Sequence, residues 1–555
     1  MTSQSTVPEG QTRRWFRSGT PWVWLTGAAI GVSLLAMLAV VVMLAWQGGR
    51  YLWPQPVWQF TLTEQVAGTP RALLGERYAH QTLTVHSASA AAGDDVVSRY
   101  LVKVGMRERY GQSFQTLLSS EITARSLPAD VIVLKRAHNG VAYGFLAGML
   151  EDGQPLLAED LPATLQRRIQ LVQGFVNKTQ RIRLVDMRKI NQRVEALRLE
   201  EKQKQRTEAL DTQTLARFQA ERGELQRRFD TLSGQLVTLN QDIDRNQVLL
   251  RDAEGTLYRI PLKEIEGAWF PNSMNRWDKV RHWGHEMAYL LTHDAPDNAS
   301  GHLFPAIFGT VLMVILMSIV VMPLGVIAAI YLNEYAGKNH FTRWVRIAVA
   351  NLAGVPSIVY GVFGLGFFVY LMGGTLDKLF YADALPNPTF GTPGLLWASL
   401  TLALLTLPVV IVATEEGLAR IPMSLRHGSL ALGATRAETL WHVVLPMAVP
   451  AMLTGLILAV ARAAGETAPL MLVGVVKSVP VLPVDDIFPY LHLERKFMHL
   501  GFQIYDLAFQ SADVEAARPL VYLTALLLVV IVVGLNVAAM GLRHVLREKY
   551  RALTL

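Results

Sequence analysis

Phe304-Pro-Ala-Ile-Phe-Gly-Thr-Val-Leu-Met-Val-Ile-Leu-Met-Ser-Ile-Val-Val-Met-Pro-Leu-Gly-Val-Ile-Ala-Ala-Ile-Tyr331 is a run of 28 residues without a single charge. A helix needs about 20 mostly apolar residues to cross the hydrocarbon core of a bilayer, so the run reads as a membrane span. Five more stretches meet the same test: Pro21 to Trp46, Trp344 to Met372, Gly394 to Ala413, Met447 to Val476 and Leu520 to Leu542. The first is longer than the roughly 7–15 apolar residues of a signal peptide and has no small-x-small site after Ala45-Trp46, so it reads as an uncleaved anchor. Composition agrees, with 51% hydrophobic residues over 555 positions. The 52 Lys and Arg outnumber the 45 Asp and Glu, but they sit at the ends of apolar runs and along one polar stretch rather than in a stripe, which argues against nucleic acid. There is no cysteine, and therefore no disulfide, thiolate metal site or cysteine nucleophile.

Positive charge beside a span resists translocation, so short Lys/Arg-rich connections mark the cytoplasmic side. Arg13, Arg14 and Arg17 place residues 1–20 there, and six crossings return the tail 543–555, with Arg543, Arg547, Lys549 and Arg551, to the same side. Lys338, Arg343 and Arg346 after the second span, and Arg420, Arg426 and Arg436 after the fourth, fit this scheme. The segment from Gly373 to Pro393 has only Lys378 and is expected outside, whereas Lys477 to Pro519 mixes both signs of charge.

Residues 47–303 contain no further crossing and are expected in the periplasm. Within them, 58–157 and 254–270 alternate or are β-branched, as in Tyr100-Leu-Val-Lys-Val and Val131-Ile-Val-Leu-Lys, and predict a β-rich domain. Between these, 161–252 is rich in Gln, Arg, Glu and Leu. Leu225, Phe229, Leu232, Leu236, Leu239 and Ile243 follow four-three spacing, which predicts an antiparallel coiled-coil hairpin. A spacer and a docking arm are both compatible with such a hairpin.

No Gly-x4-Gly-Lys-Ser/Thr phosphate loop, His-Glu-x-x-His, Gly-x-Ser-x-Gly or Asp-Phe-Gly occurs, so no catalytic residue is assigned. His282, His285, Glu286, His293 and Asp294 lie beside Trp269 and Trp283 and read as interfacial residues rather than metal ligands. Intramembrane charge is costly unless it is paired or faces a cavity. Arg462 and Glu466, in Ala461-Arg-Ala-Ala-Gly-Glu-Thr-Ala-Pro469, are spaced to share one helix face. They form either a structural ion pair or a translocation-path site at which the Arg462 fork meets a passing oxyanion.

The stretch after the fourth span reads Glu415-Glu-Gly-Leu-Ala-Arg-Ile-Pro-Met-Ser-Leu-Arg-His-Gly-Ser-Leu-Ala-Leu-Gly-Ala-Thr-Arg-Ala-Glu-Thr-Leu-Trp-His-Val-Val-Leu-Pro446. It resembles the coupling loop of ABC importer permeases, Glu-Ala-Ala-x3-Gly-x9-Ile-x-Leu-Pro. Gly433 takes the glycine position, Val443 the isoleucine, and Leu445-Pro446 match directly. The Glu-Ala-Ala falls on His427-Gly428-Ser429, so the usual acid is lost, with Glu415, Glu416 and Arg426 as candidate substitutes. Asn351-Leu-Ala-Gly-Val-Pro-Ser-Ile-Val-Tyr-Gly and Ala461-Arg-Ala-Ala-Gly-Glu-Thr-Ala-Pro-Leu further resemble the permeases of phosphate-specific importers, the A-type (PstA) family in particular.

The resemblance implies an α-helical membrane protein of six transmembrane helices. Its ABC importer (type I) permease core, 304–542, would carry a cytoplasmic coupling loop at 414–446. It implies an ATPase contact through Glu415, Glu416, Arg426, His427, Gly433, Ala434, Val443, Leu445 and Pro446. The implied partners are a PstC-like permease subunit, two copies of a PstB-like ATPase that hold ATP-Mg, and a PstS-like periplasmic phosphate-binding protein. The chain itself would bind no cofactor. Two alternatives stay open: a permease for another oxyanion, such as molybdate, sulfate or phosphonate, and an envelope scaffold or sensor that works through the external hairpin.

Overall fold

The first apolar run forms helix α1 (Thr20–Leu52), which continues past Trp46 until the chain reaches Pro54, a residue that cannot extend it. The computed structural model describes residues 19–66, 69–85, 95–137, 139–156, 159–207, 211–292, 303–337, 339–479, 481–511 and 514–551. Arg13, Arg14, Arg17, His293, Asp294 and Lys338 lie outside these.

Two antiparallel sheets follow α1. Strands β1 (Val57–Val66), β2 (Thr69–Val85), β3 (Asp95–Val104), β4 (Phe114–Leu118) and β5 (Ile122–Ser126) form the first, in the order β4-β3-β2-β1-β5. The second begins with β6 (Val131–Arg136), β7 (Val141–Glu151) and β8 (Gln154–Pro155). The chain then leaves as α2 (Leu161–Arg181), passes a π turn, and continues as α3 (Met187–Arg206) before returning as α4 (Thr212–Asp244). Strands β9 (Asn246–Arg251), β10 (Leu257–Pro261) and β11 (Ile265–Trp269) complete the second sheet in the order β10-β9-β7-β6-β11. Because β9 pairs with β7, the helical hairpin leaves and rejoins one sheet.

The contacts fix the direction of the hairpin legs. Leu165 and Ile169 pack with Ile243, Ile182 with Leu236 and Leu239, and Arg193 and Arg222 pair with Glu221 and Glu201. Numbers fall on one leg as they rise on the other, so the legs run antiparallel along a buried apolar seam.

Helix α5 (Arg276–Thr292) leads back to the membrane helices, and its Trp283 Nε1 donates to the Gly49 carbonyl at 3.0 Å. Among the described residues, six helices are long and apolar enough to cross a bilayer. After α1 comes α6 (Phe304–Ile330), which ends in a π turn over Tyr331–Tyr335. The stretch expected to cross in one piece from Trp344 to Met372 is instead two helices, α7 (His340–Leu352) and α8 (Ser357–Phe380). Pro356 explains the break, since its ring removes a donor and pushes Val355 away from helical angles. Helix α9 (Leu395–Ala419) runs six residues past Ala413, which places Glu415 and Glu416 on the helix itself.

After the short α10 (Met423–Ala431) the chain enters α11 (Arg436–Gly465), which stops well before the expected limit at Val476. Glu466 is extended, with φ −78° and ψ 133°, and Pro469 opens the four-residue α12 (Leu470–Val473). Arg462 and Glu466 therefore do not share a helix face. An irregular segment and α13 (Leu500–Tyr505) lead to the last span, α14 (Val514–Arg551).

The membrane core is built by α6, α9 and α11, with Met313, Met317, Leu402, Val410, Ala459 and Ala463 buried together. Helices in lipid associate by close packing rather than by expulsion of water, and small residues permit it. At Gly325 an added Cβ would lie 2.6 Å from Val410 Cγ1, and at Gly309 it would lie 2.1 Å from the Met498 carbonyl oxygen. The Met498 obstacle is backbone and cannot step aside. Gly309→Ala is expected to cost about 1–3 kcal/mol by overpacking, and an unchanged thermal unfolding midpoint in detergent would contradict that packing.

Candidate functional site

Two sets of residues offered by the sequence come together in space, one at each end of α11. At the first end, α9 stops, Pro422 forces a turn, and α10 runs to a second turn at Gly433. Gly433 has φ +90°, a region that side chains with a Cβ rarely enter, so the turn between α10 and α11 depends on glycine. Thr435 then caps α11: its hydroxyl accepts from the Glu438 N–H at 3.2 Å, and the Glu438 carboxylate accepts from the Thr435 N–H at 2.7 Å. The hydroxyls of Ser429 and Thr439 meet at 2.9 Å and hold α10 against α11.

Two arginines attach this loop to the membrane helices. Arg426 Nη1 reaches both oxygens of Glu334, in the π turn after α6, at 2.6 and 2.8 Å, while its Nη2 donates to the Leu418 carbonyl at 2.9 Å. Asn333 Nδ2 also donates to Glu334, at 2.8 Å. On α7, Arg346 donates to the Leu332 carbonyl at 2.9 Å and pairs with Glu415 at 2.8 Å. The Arg426 and Glu334 side chains are only 14% and 19% exposed, so this pair is far better shielded than a surface ion pair. Glu416 and Arg420, by contrast, are solvent-facing partners 3.8 Å apart.

His427 is exposed and forms no hydrogen bond among the described residues, so Arg426, its neighbour, holds the fixed polar contact at this position. Ala434, Val443, Leu445 and Pro446 are half-buried, the last three inside the continuous helix α11. Its Leu440, Val444 and Ala448 pack on Leu332, Leu418 and Ile421. The loop also leaves large apolar side chains outside, among polar ones such as His427, Arg436 and Glu438: Leu432 at the tip is 91% exposed, Trp441 69%, Met423 60% and Leu425 41%. Single exposed apolar residues are ordinary, whereas four on one loop make it a candidate interaction surface.

At the other end of α11, Arg462 Nε lies 3.5 Å from Glu466 Oε1, and its Nη1 donates to the Ala353 carbonyl at 3.5 Å. The helix termination at Gly465 swings Glu466 back toward Arg462, so the pair forms despite the lost helical register. Tyr360 Oη donates to the Leu352 carbonyl at 2.7 Å, and Gly361 packs so closely on Pro469 that a Cβ there would lie 2.7 Å from the proline Cα. The motif around Asn351–Gly361 and the motif around Ala461–Pro469 thus meet where both helices break.

Residues 321–552 match the family described as "Binding-protein-dependent transport system inner membrane component". Phosphate transport system permease protein PstA 1 of Mycobacterium tuberculosis (strain ATCC 25618 / H37Rv) is 31% identical over 288 residues, which cover 52% of this chain and 81% of that protein. The chain belongs to the PstA family. PstA of Mycobacterium leprae (strain TN) is 33% identical over 263 residues, 47% of this chain and 75% of its own length. A chain of the inward-facing MetNI methionine ABC transporter aligns over 47% of this chain and 98% of its own, at 18% identity and a TM-score of 0.33. As a PstA-family protein the chain is a multi-pass inner-membrane permease, a non-catalytic subunit of an ABC transport complex whose members work with ATPase and substrate-binding partners.

Sequence reading missed Glu334 and Arg346. Glu334 was detectable in one respect, as the first charge after the 28-residue uncharged run, but its partner Arg426 lies 92 residues away. Removing one member strands a shielded charge. Arg426→Ala or Glu334→Ala is expected to destabilise the PstA-family chain by about 2 kcal/mol, and the charge swap Arg426→Glu with Glu334→Arg to recover part of it. Detergent thermal melts of the three variants check this, and additive losses in the swap would refute the pairing.

Proposed function

We propose that the chain forms half of the translocation pore of an ATP-driven phosphate importer and couples it to a cytoplasmic ATPase through residues 414–446. The observation that carries this reading is the continuity of α11. It is one helix from Arg436, beside the exposed Leu432-Gly433 tip, to Arg462, a length of about 40 Å at 1.5 Å per residue. A push on the tip is delivered as a rigid displacement at Arg462.

In this reading Leu432, Met423 and Trp441 enter a cleft on a PstB-like ATPase, and Gly433 sets the angle of entry. The Arg426–Glu334 and Arg346–Glu415 contacts make the loop move with α6, α7 and α9 rather than flex alone. When two bound ATP-Mg close the ATPase pair, the loops shift and bias the pore between inward-facing and outward-facing states, a two-state switch driven by ligand. A PstC-like subunit supplies the other half of the wall, and a PstS-like binding protein delivers phosphate from the periplasm. The Lys/Arg distribution puts the loop in the cytoplasm and residues 47–303 in the periplasm.

Arg462 meets the substrate. Glu466 and the Ala353 carbonyl occupy its Nε and Nη1, and Nη2 has no hydrogen bond among the described residues, so the fork is oriented with donor capacity to spare. The motifs shared with phosphate permeases favour phosphate over molybdate, sulfate or phosphonate.

The hairpin supports a second role, as a docking arm for the binding protein. Its α3 leg rests on the loops that follow the third and fifth spans. Arg206 lies 3.5 Å from Asp383, Lys202 donates to the Asp383 carbonyl at 3.2 Å, and Arg188 lies 3.9 Å from Asp485. Burial raises the Asp485 carboxyl, but the Ile487 N–H, Arg495 and His492 outweigh it and hold the group below the usual carboxylate range. The arm therefore lies over the face on which a delivered substrate arrives.

Gly433→Pro is expected to abolish phosphate uptake in reconstituted vesicles, because proline cannot adopt φ +90°. Arg462→Ala is expected to reduce uptake by more than about tenfold while the complex still assembles, the loss of one charge-assisted contact. Normal uptake in both variants refutes the reading, and inhibition by molybdate or sulfate but not phosphate reassigns the substrate. Removal of 161–252 is expected to weaken binding-protein affinity with little change in ATPase assembly, whereas unchanged affinity leaves the hairpin a spacer.

A further inference from the structure

The two outermost spans, α1 and α14, emerge side by side on the side of the membrane that carries the sheets. Gly48 allows this, since a Cβ there would lie 2.8 Å from Leu523 Cα, and Leu52 packs with Leu520 and Leu523. Just above, β2 is irregular. Arg77 faces Val102 and Ala79 faces Leu101 across the ladder to β3, which leaves Tyr78 as an inserted residue. Bulges of this kind redirect side chains. Tyr78 Oη donates to the Glu515 carbonyl at 3.4 Å, which fixes the bulge to the first turn of α14.

The result is a cleft of about 430 Å³ lined by Arg50, Arg77, Tyr78, Ala79 and His80. No acid lines it, and neither Arg50 nor Arg77 forms an ion pair among the described residues. The nearby Glu515 is already paired with Arg518 at 2.6 Å. Arg50 is in the last turn of α1, and exposed Trp46, Tyr51 and Trp53 bracket it. Aromatic side chains of this type settle at the headgroup level of a bilayer, and basic pockets beside membrane helices at that level hold anionic headgroups.

We propose that this cleft binds the phosphate group of an anionic phospholipid, with Arg50 and Arg77 as its charge partners and His80 and the Tyr78 ring as its walls. Two guanidinium forks facing one open space without a carboxylate match a phosphate oxyanion. A free phosphate ion has the same chemistry. The position between two span ends and an aromatic belt favours the headgroup as its source. The cleft is lined by α1 and β2, and Arg462 pairs with Glu466 and the Ala353 carbonyl, so the two sites share no residue.

The test uses the full chain in nanodiscs of mixed phosphatidylglycerol and phosphatidylcholine, transferred to detergent, with retained lipid read by native mass spectrometry. The wild type is expected to retain phosphatidylglycerol selectively, and Arg50→Gln with Arg77→Gln to retain about twentyfold less. Arg50→Lys with Arg77→Lys is expected to keep most of the retention, which separates loss of charge from loss of fold. Persistence of the bound lipid in millimolar inorganic phosphate supports the headgroup. Its displacement there, with inorganic phosphate bound in its place, keeps the phosphate site and reassigns its source to the free ion. Equal retention by the wild type and the Gln variant, or no preference for phosphatidylglycerol, overturns the proposal.

Discussion

A backbone amide or carbonyl that leaves its helix inside hydrocarbon has no water to bind, and this constraint organises the permease core. Non-helical backbone at such depth persists only where protein supplies the missing partner. The two breaks in this chain, at Ala353–Pro356 and at Glu466–Pro469, meet each other. Pro356 offers no N–H to Leu352, whose carbonyl accepts instead from the Val355 N–H and the Tyr360 hydroxyl, while the Ala353 carbonyl accepts from Arg462. The charge that looks most out of place in the fifth span is thus partly a structural donor. Its spare valence is what makes a transport role chemically reasonable.

The same breaks mark where sequence reading stops. Length and hydropathy find six crossing helices, because the need for about 20 apolar residues is local and strict. They do not find ends, since an apolar run looks the same whether it continues as helix or turns aside against a partner. Trp344 to Met372 is apolar almost throughout, yet α7 and α8 part at Pro356. Glu466 shares a face with Arg462 only if the helix continues, and it does not. The Gly433 turn was readable because one residue type carries the whole signal, a positive φ. The Arg426–Glu334 and Arg346–Glu415 contacts were not, because they join side chains from separate spans and leave no periodicity behind. Along α4 the apolar spacing marks one stretch of the inner face: Leu236, Leu239 and Ile243 are buried, whereas Leu225, Phe229 and Leu232 are half-buried.

These contacts also decide which pieces can move together. The loop's apolar cluster with Leu332, Leu418, Leu440 and Val444 is continuous with the ends of three membrane helices, and the shielded ion pair adds direction to that packing. The loop tip has no comparable cover, with Leu432 almost fully exposed. A tip that is apolar and uncovered but rigidly backed suits a handle gripped from outside, whereas a flexible one would absorb the motion it is meant to pass on.

The insertion divides by the same measure into a firm base and a light arm. Its base is attached through apolar contacts, Leu52 and Leu290 packing with Leu507, Leu520 and Leu523, and within it Lys135 from β6 reaches Glu286 of α5 at 2.6 Å. Among the described residues the arm's polar contacts with the permease are those of Arg188, Lys202 and Arg206 with Asp485 and Asp383, at 3.2–3.9 Å. The exposed Arg206–Asp383 pair contributes about 0–1 kcal/mol, whereas Arg188 and Asp485 are partly shielded, with side chains 25% and 16% exposed. The base is therefore a fixed part of the membrane assembly. Among the described residues the arm is tied to the loops by polar contacts and not by an apolar cluster, so it is the more lightly held of the two.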